Sequence, residues 1–163
     1  MFNHNSLRTA YNCTRAKAED CIVKKTSKKQ QAPHVIAALP HGVSEEDVVF
    51  LSWMENFGTR YRRNQYVLME RAQDGFQDDF VMGRIEALYR SKHEKKHYLV
   101  CEEMVNYHNP LLDAFDVYPH RPQKYRSIEV NTLLDFYPLE GYTVTENTTV
   151  VALRHNPYYN PQD

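Results

Sequence analysis

The placing of large aliphatic side chains constrains this 163-residue chain most. Residues 1–34 hold four Val, Ile, Leu or Phe residues: Phe2, Leu7, Ile22 and Val23. Burying so few cannot offset the entropy of ordering that length of backbone. Residues 48–155 hold 29 of the same types, and eleven of the twelve tyrosines lie at or beyond position 61. A core can form only there. The domain is therefore expected over 43–155. A basic arm without a fold of its own, 1–42, precedes it, and a flexible tail, 156–163, reading NPYYNPQD, follows.

Charge divides at nearly the same place. Residues 1–40 carry seven Lys or Arg against two acids, a net of +5, and residues 41–163 a net of −6. The overall net charge of −1 argues against nucleic-acid binding by bulk charge. No apolar run approaches the ~18 residues of a membrane span. The chain opens with no charged-then-apolar signal segment, so it is expected to be intracellular, nuclear or cytoplasmic. Three scattered cysteines give no disulfide framework.

Ser44-Glu45-Glu46-Asp47 reads as a capped helix start, and Val49, Phe50, Trp53 and Phe57 follow at near-helical spacing before Gly58. This predicts a helix over 45–57. The remainder reads as strands: 66–69, 80–89, 97–103, 114–118, 127–130 and 148–154, with a helical turn over 131–136. Turns fall at Asp74-Gly75 and Asn109-Pro110. The expected fold is mainly β, a small five- to six-stranded barrel or sandwich with one N-terminal helix.

Several segments in order carry a family likeness. They are Phe80-Val81-Met82-Gly83-Arg84-Ile85, Tyr98-Leu99-Val100-Cys101-Glu102-Glu103, Asp113-Ala114-Phe115-Asp116-Val117, Leu133-Leu134-Asp135-Phe136-Tyr137-Pro138-Leu139 and Thr149–Arg154. Together, residues 64–155 resemble a β-rich accessory domain near the C-terminus of uncharacterised transposase-derived animal proteins. The acidic transposase core of that family has no counterpart here. The resemblance therefore implies an accessory module without strand-transfer chemistry. Tyr66-Val67-Leu68 and Met82–Tyr89 are also similar to the opening of bromo-adjacent-homology chromatin modules, whose later signature is missing.

Three residue sets are candidates for function. The lysines Lys24, Lys25, Lys28 and Lys29 can contact phosphates or act as a nuclear-import patch, though such runs are commonly solvated. Arg60, Arg62 and Arg63, interleaved with Tyr61 and Tyr66, can pair phosphates and stack bases. At the end of a helix the same cations would complement its dipole. Tyr89, Tyr98, Tyr107 and Tyr118 can form a partner-binding face or, beside Glu102 or Glu103, a cage for methyl-lysine.

His93-Glu94-Lys95-Lys96-His97 matches a zinc-peptidase motif. That chemistry needs both imidazoles on one helical face and a third ligand. Here the motif sits between two apolar strands, which predicts an exposed hairpin tip. Cys13 and Cys21 lack ligand spacing, Cys101 reads as a core residue, and Asn156-Pro157-Tyr158-Tyr159 fits a short turn motif that phosphotyrosine-binding domains read.

The expectation is a non-enzymatic binding or assembly module of transposon origin, with no cofactor and no metal. Its partner would be a protein, or nucleic acid through the basic arm, and not a membrane. The alternatives are a chromatin reader with an aromatic face and a zinc hydrolase centred on His93 and His97.

Overall fold

β-Branched and aromatic residues pack well on a pleated, half-buried surface, and the described residues are mostly strands. The structure, a computed structural model, describes residues 24–26 (backbone alone), 30–71 and 80–153. The elements are β1 (Lys24–Thr26), α1 (Pro33–Ala37), β2 (Val48–Asn56), β3 (Thr59–Arg62), β4 (Tyr66–Glu70), β5 (Val81–Ser91), β6 (His97–Asn109), β7 (Ala114–Pro119), β8 (Tyr125–Glu129), β9 (Gly141–Thr145) and β10 (Thr148–Val151). All strands join one sheet in the order β1-β2-β5-β6-β7-β10-β9, with β3 on β2, β4 on β5 and β8 on β6. Every pairing is antiparallel.

The mainly β expectation holds. The barrel does not: the sheet has two ends, β1 and β9, and does not close on itself. At the seam, Tyr66 and Leu139 exchange backbone hydrogen bonds of 2.8 and 2.7 Å. The sheet also holds more strands than the five or six expected, because β1, β2, β3 and β9 fall outside the segments read as strands.

The helix expected over 45–57 is a strand. Ser44 does meet Asp47: its amide and its hydroxyl both donate to Asp47 Oδ2 at 2.8 Å. That cap holds one 3₁₀ turn, Glu45–Asp47. Val48, Phe50 and Met54 are buried on β2 and Ser52 is exposed. Sheet partners on both edges of β2 outweigh the helical spacing, because long-range pairing satisfies the backbone and buries the same side chains. Gly58 then serves a hairpin turn instead of a helix stop. The strand expected over 80–89 is β5, and the helical turn near 131–136 is a 3₁₀ turn at Val130–Thr132.

Three apolar clusters hold the sheet. The first gathers Leu51, Met54, Val67, Ile85, Leu88, Leu99, Cys101 and Leu133. A second holds Leu68, Phe80, Met82, Met104, Phe115, Leu139 and Val151. The third places Val35 of α1 on Val48, Phe50, Ala87, Tyr89 and Val100. Val35 is 2% exposed. The core thus takes in residues 32–39, which precede the domain start expected at 43. Among the described residues the helix is α1, five residues long and outside the segment expected to be helical.

Candidate partner-binding cleft

The cleft is built by a hairpin that the sequence hides. Phe57 (φ 50°) and Gly58 (φ 80°) both adopt left-handed backbone, as a two-residue hairpin turn requires. Phe-Gly is not one of the common turn pairs, so the turn left little trace in the sequence. Beyond it β3 alternates: Thr59 and Tyr61 are buried, Arg60 and Arg62 exposed. The Tyr61 hydroxyl donates to the Phe136 carbonyl, tying the segment before β9 to β3.

Three more contacts fix the opposite wall. The Arg62 amide donates to Gln65 Oε1 at 2.8 Å. Gln65 Nε2 and Arg62 Nη2 both donate to Glu140 Oε1, at 2.9 and 3.3 Å. At Gly141 a Cβ would stand 2.5 Å from the Tyr66 ring and 2.9 Å from the Thr149 methyl. Only glycine allows β9 to start so close to Tyr66.

Between these walls lies a cleft of about 490 Å³, lined by Arg60, Arg62, Gln65, Glu140, Tyr142 and Ala152 among others. Its size falls within the ~300–1,000 Å³ of ligand sites. It sits beside the seam, where the sheet fails to close. Among the described strands β3 pairs with β2 alone and β9 with β10 alone. Residues Tyr142–Thr145 are all exposed.

The arginines are held but not sequestered. Arg60 Nη2 lies 3.3 Å from Glu55 Oε2, and its guanidinium sits 4.3 Å over the Trp53 ring. The Arg60 and Arg62 side chains remain 55% and 61% exposed. Exposed pairs of this kind contribute ~0–1 kcal/mol, so an incoming anion can exchange for either carboxylate.

The residues nominated from sequence separate in space. Arg60 and Arg62 line the cleft, but they follow a hairpin turn and not a helix end. Arg63 points elsewhere, 3.7 Å from Glu86. Tyr61 and Tyr66 are 1% and 5% exposed, so neither offers a ring for base stacking. Lys24 and Lys25 lie in β1, opposite Met54 and Trp53 of β2. Lys28, Lys29, Cys13, Cys21, the Asp74-Gly75 turn and the tail 156–163 lie outside the described residues.

The four tyrosines form two separate pairs. Tyr89 and Tyr98 stack with centroids 5.0 Å apart at 10°. Tyr107 and Tyr118 meet at 6.3 Å and 57°. Tyr98 and Tyr107 are nine residues apart on one strand, about 30 Å, so the four rings do not enclose one ligand. Tyr89 is buried, and its hydroxyl donates to Ser127 Oγ at 3.0 Å. Burial pushes its phenol up to about 12.

The His93–His97 segment is the turn between β5 and β6, as its flanking strands predict. The Ser91 amide donates to the Lys96 carbonyl at 3.2 Å. His93 Nε2 lies 3.3 Å from Asp47 Oδ1, while His97 starts β6 opposite Arg90. The two imidazoles share no helical face. No group of three metal-ligating side chains converges among the described residues.

A second charged cluster escaped the sequence reading. Tyr66, Arg84, Glu102 and Tyr125 stand side by side on β4, β5, β6 and β8. Arg84 Nη2 donates to Glu86 Oε1 and Glu102 Oε2, each at 2.7 Å. Gln123 Nε2 donates to the other Glu102 oxygen at 3.0 Å. His34 of α1 approaches Glu86 at 3.6 Å and its ring lies 4.5 Å from that of Tyr125. Glu86 and Glu102 side chains are 7% and 1% exposed. Burial disfavours the Arg84 charge, but the two carboxylates outweigh it and hold the guanidinium above its ordinary range. The available signal was charge inside apolar strands: Arg84 and Glu86, two residues apart in FVMGRIEALY, and Glu102 in YLVCEEMV. One guanidinium against two carboxylates leaves a net of −1, which Arg63 at 3.7 Å from Glu86 offsets, and the cluster fastens four strands and α1.

No family model matches the sequence, and no curated protein or solved structure was found similar to it. No described helix is long and apolar enough to cross a membrane.

Proposed function

We propose that this chain is a protein-binding module that accepts an extended peptide in the cleft at the seam of its open sheet. The observation that carries the reading is that one cleft of about 490 Å³ draws its lining from two strands, β3 and β9, each with one strand partner among the described residues. A strand edge offers backbone donors and acceptors, and an added peptide strand satisfies them without any catalytic group. The ordered likeness of residues 64–155 to an accessory domain of transposase-derived proteins supports an assembly role of transposon origin. The burial of the rings beside the arginines favours a peptide over nucleic acid, since Tyr61 and Tyr66, 1% and 5% exposed, present no face on which a base could stack.

Backbone-amide NMR tests this. A labelled sample is titrated with β-prone peptides selected by display against the folded chain. Shifts concentrated at residues 58–62 and 139–145 are expected, with a proline at the centre of the peptide abolishing them. Shifts confined to Tyr107, Leu111 and Leu112, or to α1, would sink the reading.

A further inference from the structure

We infer that the peptide this cleft selects is acidic, with carboxylates at alternate positions along an extended strand; this rests on the reading above. Arg60 and Arg62 lie two residues apart on β3 and both turn outward. Two residues of strand span about 6.6 Å, the spacing at which an extended peptide presents every second side chain on one face. A peptide lying along the cleft as a strand therefore matches the two guanidinium groups with two carboxylates in one register. A shift of one residue turns both carboxylates to the opposite face, so the arginines also set the register.

Charge in the lining points the same way. Arg60, Arg62 and Glu140 are its charged members, a net of one positive charge. The carboxylates now on the arginines are held weakly. Glu140 is 54% exposed and is reached by Arg62 at 3.3 Å. Glu55 is 28% exposed and lies 3.3 Å from Arg60. Each guanidinium carries five N–H donors, so a ligand carboxylate can add to it or displace its present partner. Charge-assisted pairs are roughly twice as strong as neutral hydrogen bonds.

β9 supplies the second half of the recognition. Its residues Tyr142–Thr145 carry no charge and no proline, and Tyr142 and Val144 are 65% and 59% exposed. The peptide backbone pairs with this edge, and its apolar residues, alternating with the acids, pack on Tyr142 and Val144. The motif is therefore Val-Asp-Val-Asp-Val in character.

Trp53 gives a built-in readout. It is the single tryptophan of the chain, and the Arg60 guanidinium covers its ring at 4.3 Å. A carboxylate that draws Arg60 away changes the indole environment. The test measures Trp53 emission and the anisotropy of three labelled peptides against the full chain: Thr-Val-Asp-Val-Asp-Val-Thr, the same peptide with both Asp replaced by Asn, and the acidic peptide with a central Pro. A labelled single-stranded oligothymidylate is a fourth probe. The acidic peptide should bind about tenfold tighter than its Asn counterpart, change Trp53 emission, and lose that advantage at high salt. The proline peptide should fail to bind. The variant Arg60→Gln/Arg62→Gln should bind the acidic and Asn peptides equally, and its fold is checked by its amide spectrum.

Equal binding of the Asp and Asn peptides by the unmodified chain overturns the acidic specificity and leaves strand acceptance standing. If no peptide binds, both fall. Oligothymidylate binding in the absence of peptide binding overturns both in favour of nucleic acid.

Discussion

Among the described residues Arg84 is the single cation bonded to two buried carboxylates, which makes Arg84→Met a sharp perturbation. The substitution removes two bonds of 2.7 Å and leaves Glu102 1% exposed with Gln123 as its remaining side-chain donor. Glu86 keeps His34 at 3.6 Å and Arg63 at 3.7 Å. Breaking a buried pair by removing one partner costs ~3–5 kcal/mol. The Arg84 side chain is 35% exposed, so water replaces part of what is lost and the expected cost is near the lower end, about 3 kcal/mol. With a urea slope of ~1–3 kcal/mol/M, the midpoint should fall by about 1–3 M.

The decisive arm is a second substitution. Glu102→Gln in the Arg84→Met background removes the stranded charge and keeps an acceptor oxygen for Gln123 Nε2. It should recover about 1–3 kcal/mol, although Glu102→Gln alone destabilises. Urea unfolding of the four proteins at neutral pH measures the cycle. A loss under 0.5 kcal/mol for Arg84→Met, or strict additivity of the two changes, would refute the claim that the cluster is an electrostatic clasp.

Three further outcomes are expected. Gly141→Ala places a methyl 2.5 Å from the Tyr66 ring and should destabilise by ~1–3 kcal/mol, read as a lowered urea midpoint; an unchanged midpoint means β9 starts further from Tyr66 than described. Tyr89 holds its proton to about 12 against 10.0 when unfolded, so its contribution is complete below pH 10 and is lost as pH rises from about 10 to about 12. Tyr89→Phe should flatten the alkaline fall in stability by about 2 kcal/mol, and parallel pH profiles for the two proteins would contradict this. Cys101 is fully buried, and burial pushes its thiol up to about 12. In a Cys13→Ser/Cys21→Ser background, a thiol reagent should label it only as fast as the protein opens, and rapid labelling of the folded protein would place Cys101 at the surface.

Some of this molecule is visible in its local chemistry. Short apolar and β-branched runs near 66–69, 80–89, 97–103 and 114–118 become β4, β5, β6 and β7, because runs of that length are buried as strands, largely on both faces in β4 and β5. The His93–His97 motif reads as a turn for a related reason: apolar strands flank it and lysines interrupt it. By contrast, 45–57 carries a sound helix signal. Its Ser44–Asp47 cap forms, yet β2 wins because β1, β3 and β5 supply partners that a local pattern cannot announce. β9 was missed because four of its five residues are exposed, and an exposed strand leaves no buried alternation.

The candidate site divides along the same line. Arg60, Arg62 and Arg63 stood out as a basic cluster, and spacing alone could not say that strand alternation and the turn after β3 would send Arg63 to Glu86 and leave the other two on the cleft. The aromatic partners read beside them, Tyr61 and Tyr66, point inward, and the tyrosines that do line the cleft, Tyr137 and Tyr142, are seventy-five and eighty residues away from Arg62. Composition by itself determined that a β-rich core would form in the second part of the chain, since that is where enough apolar surface exists to oppose chain entropy. Only the tertiary structure decided that the sheet stays open and that β3 and β9 face one cleft. Those are consequences of long-range pairing and of the close approach at Gly141, and no short window of sequence contains them.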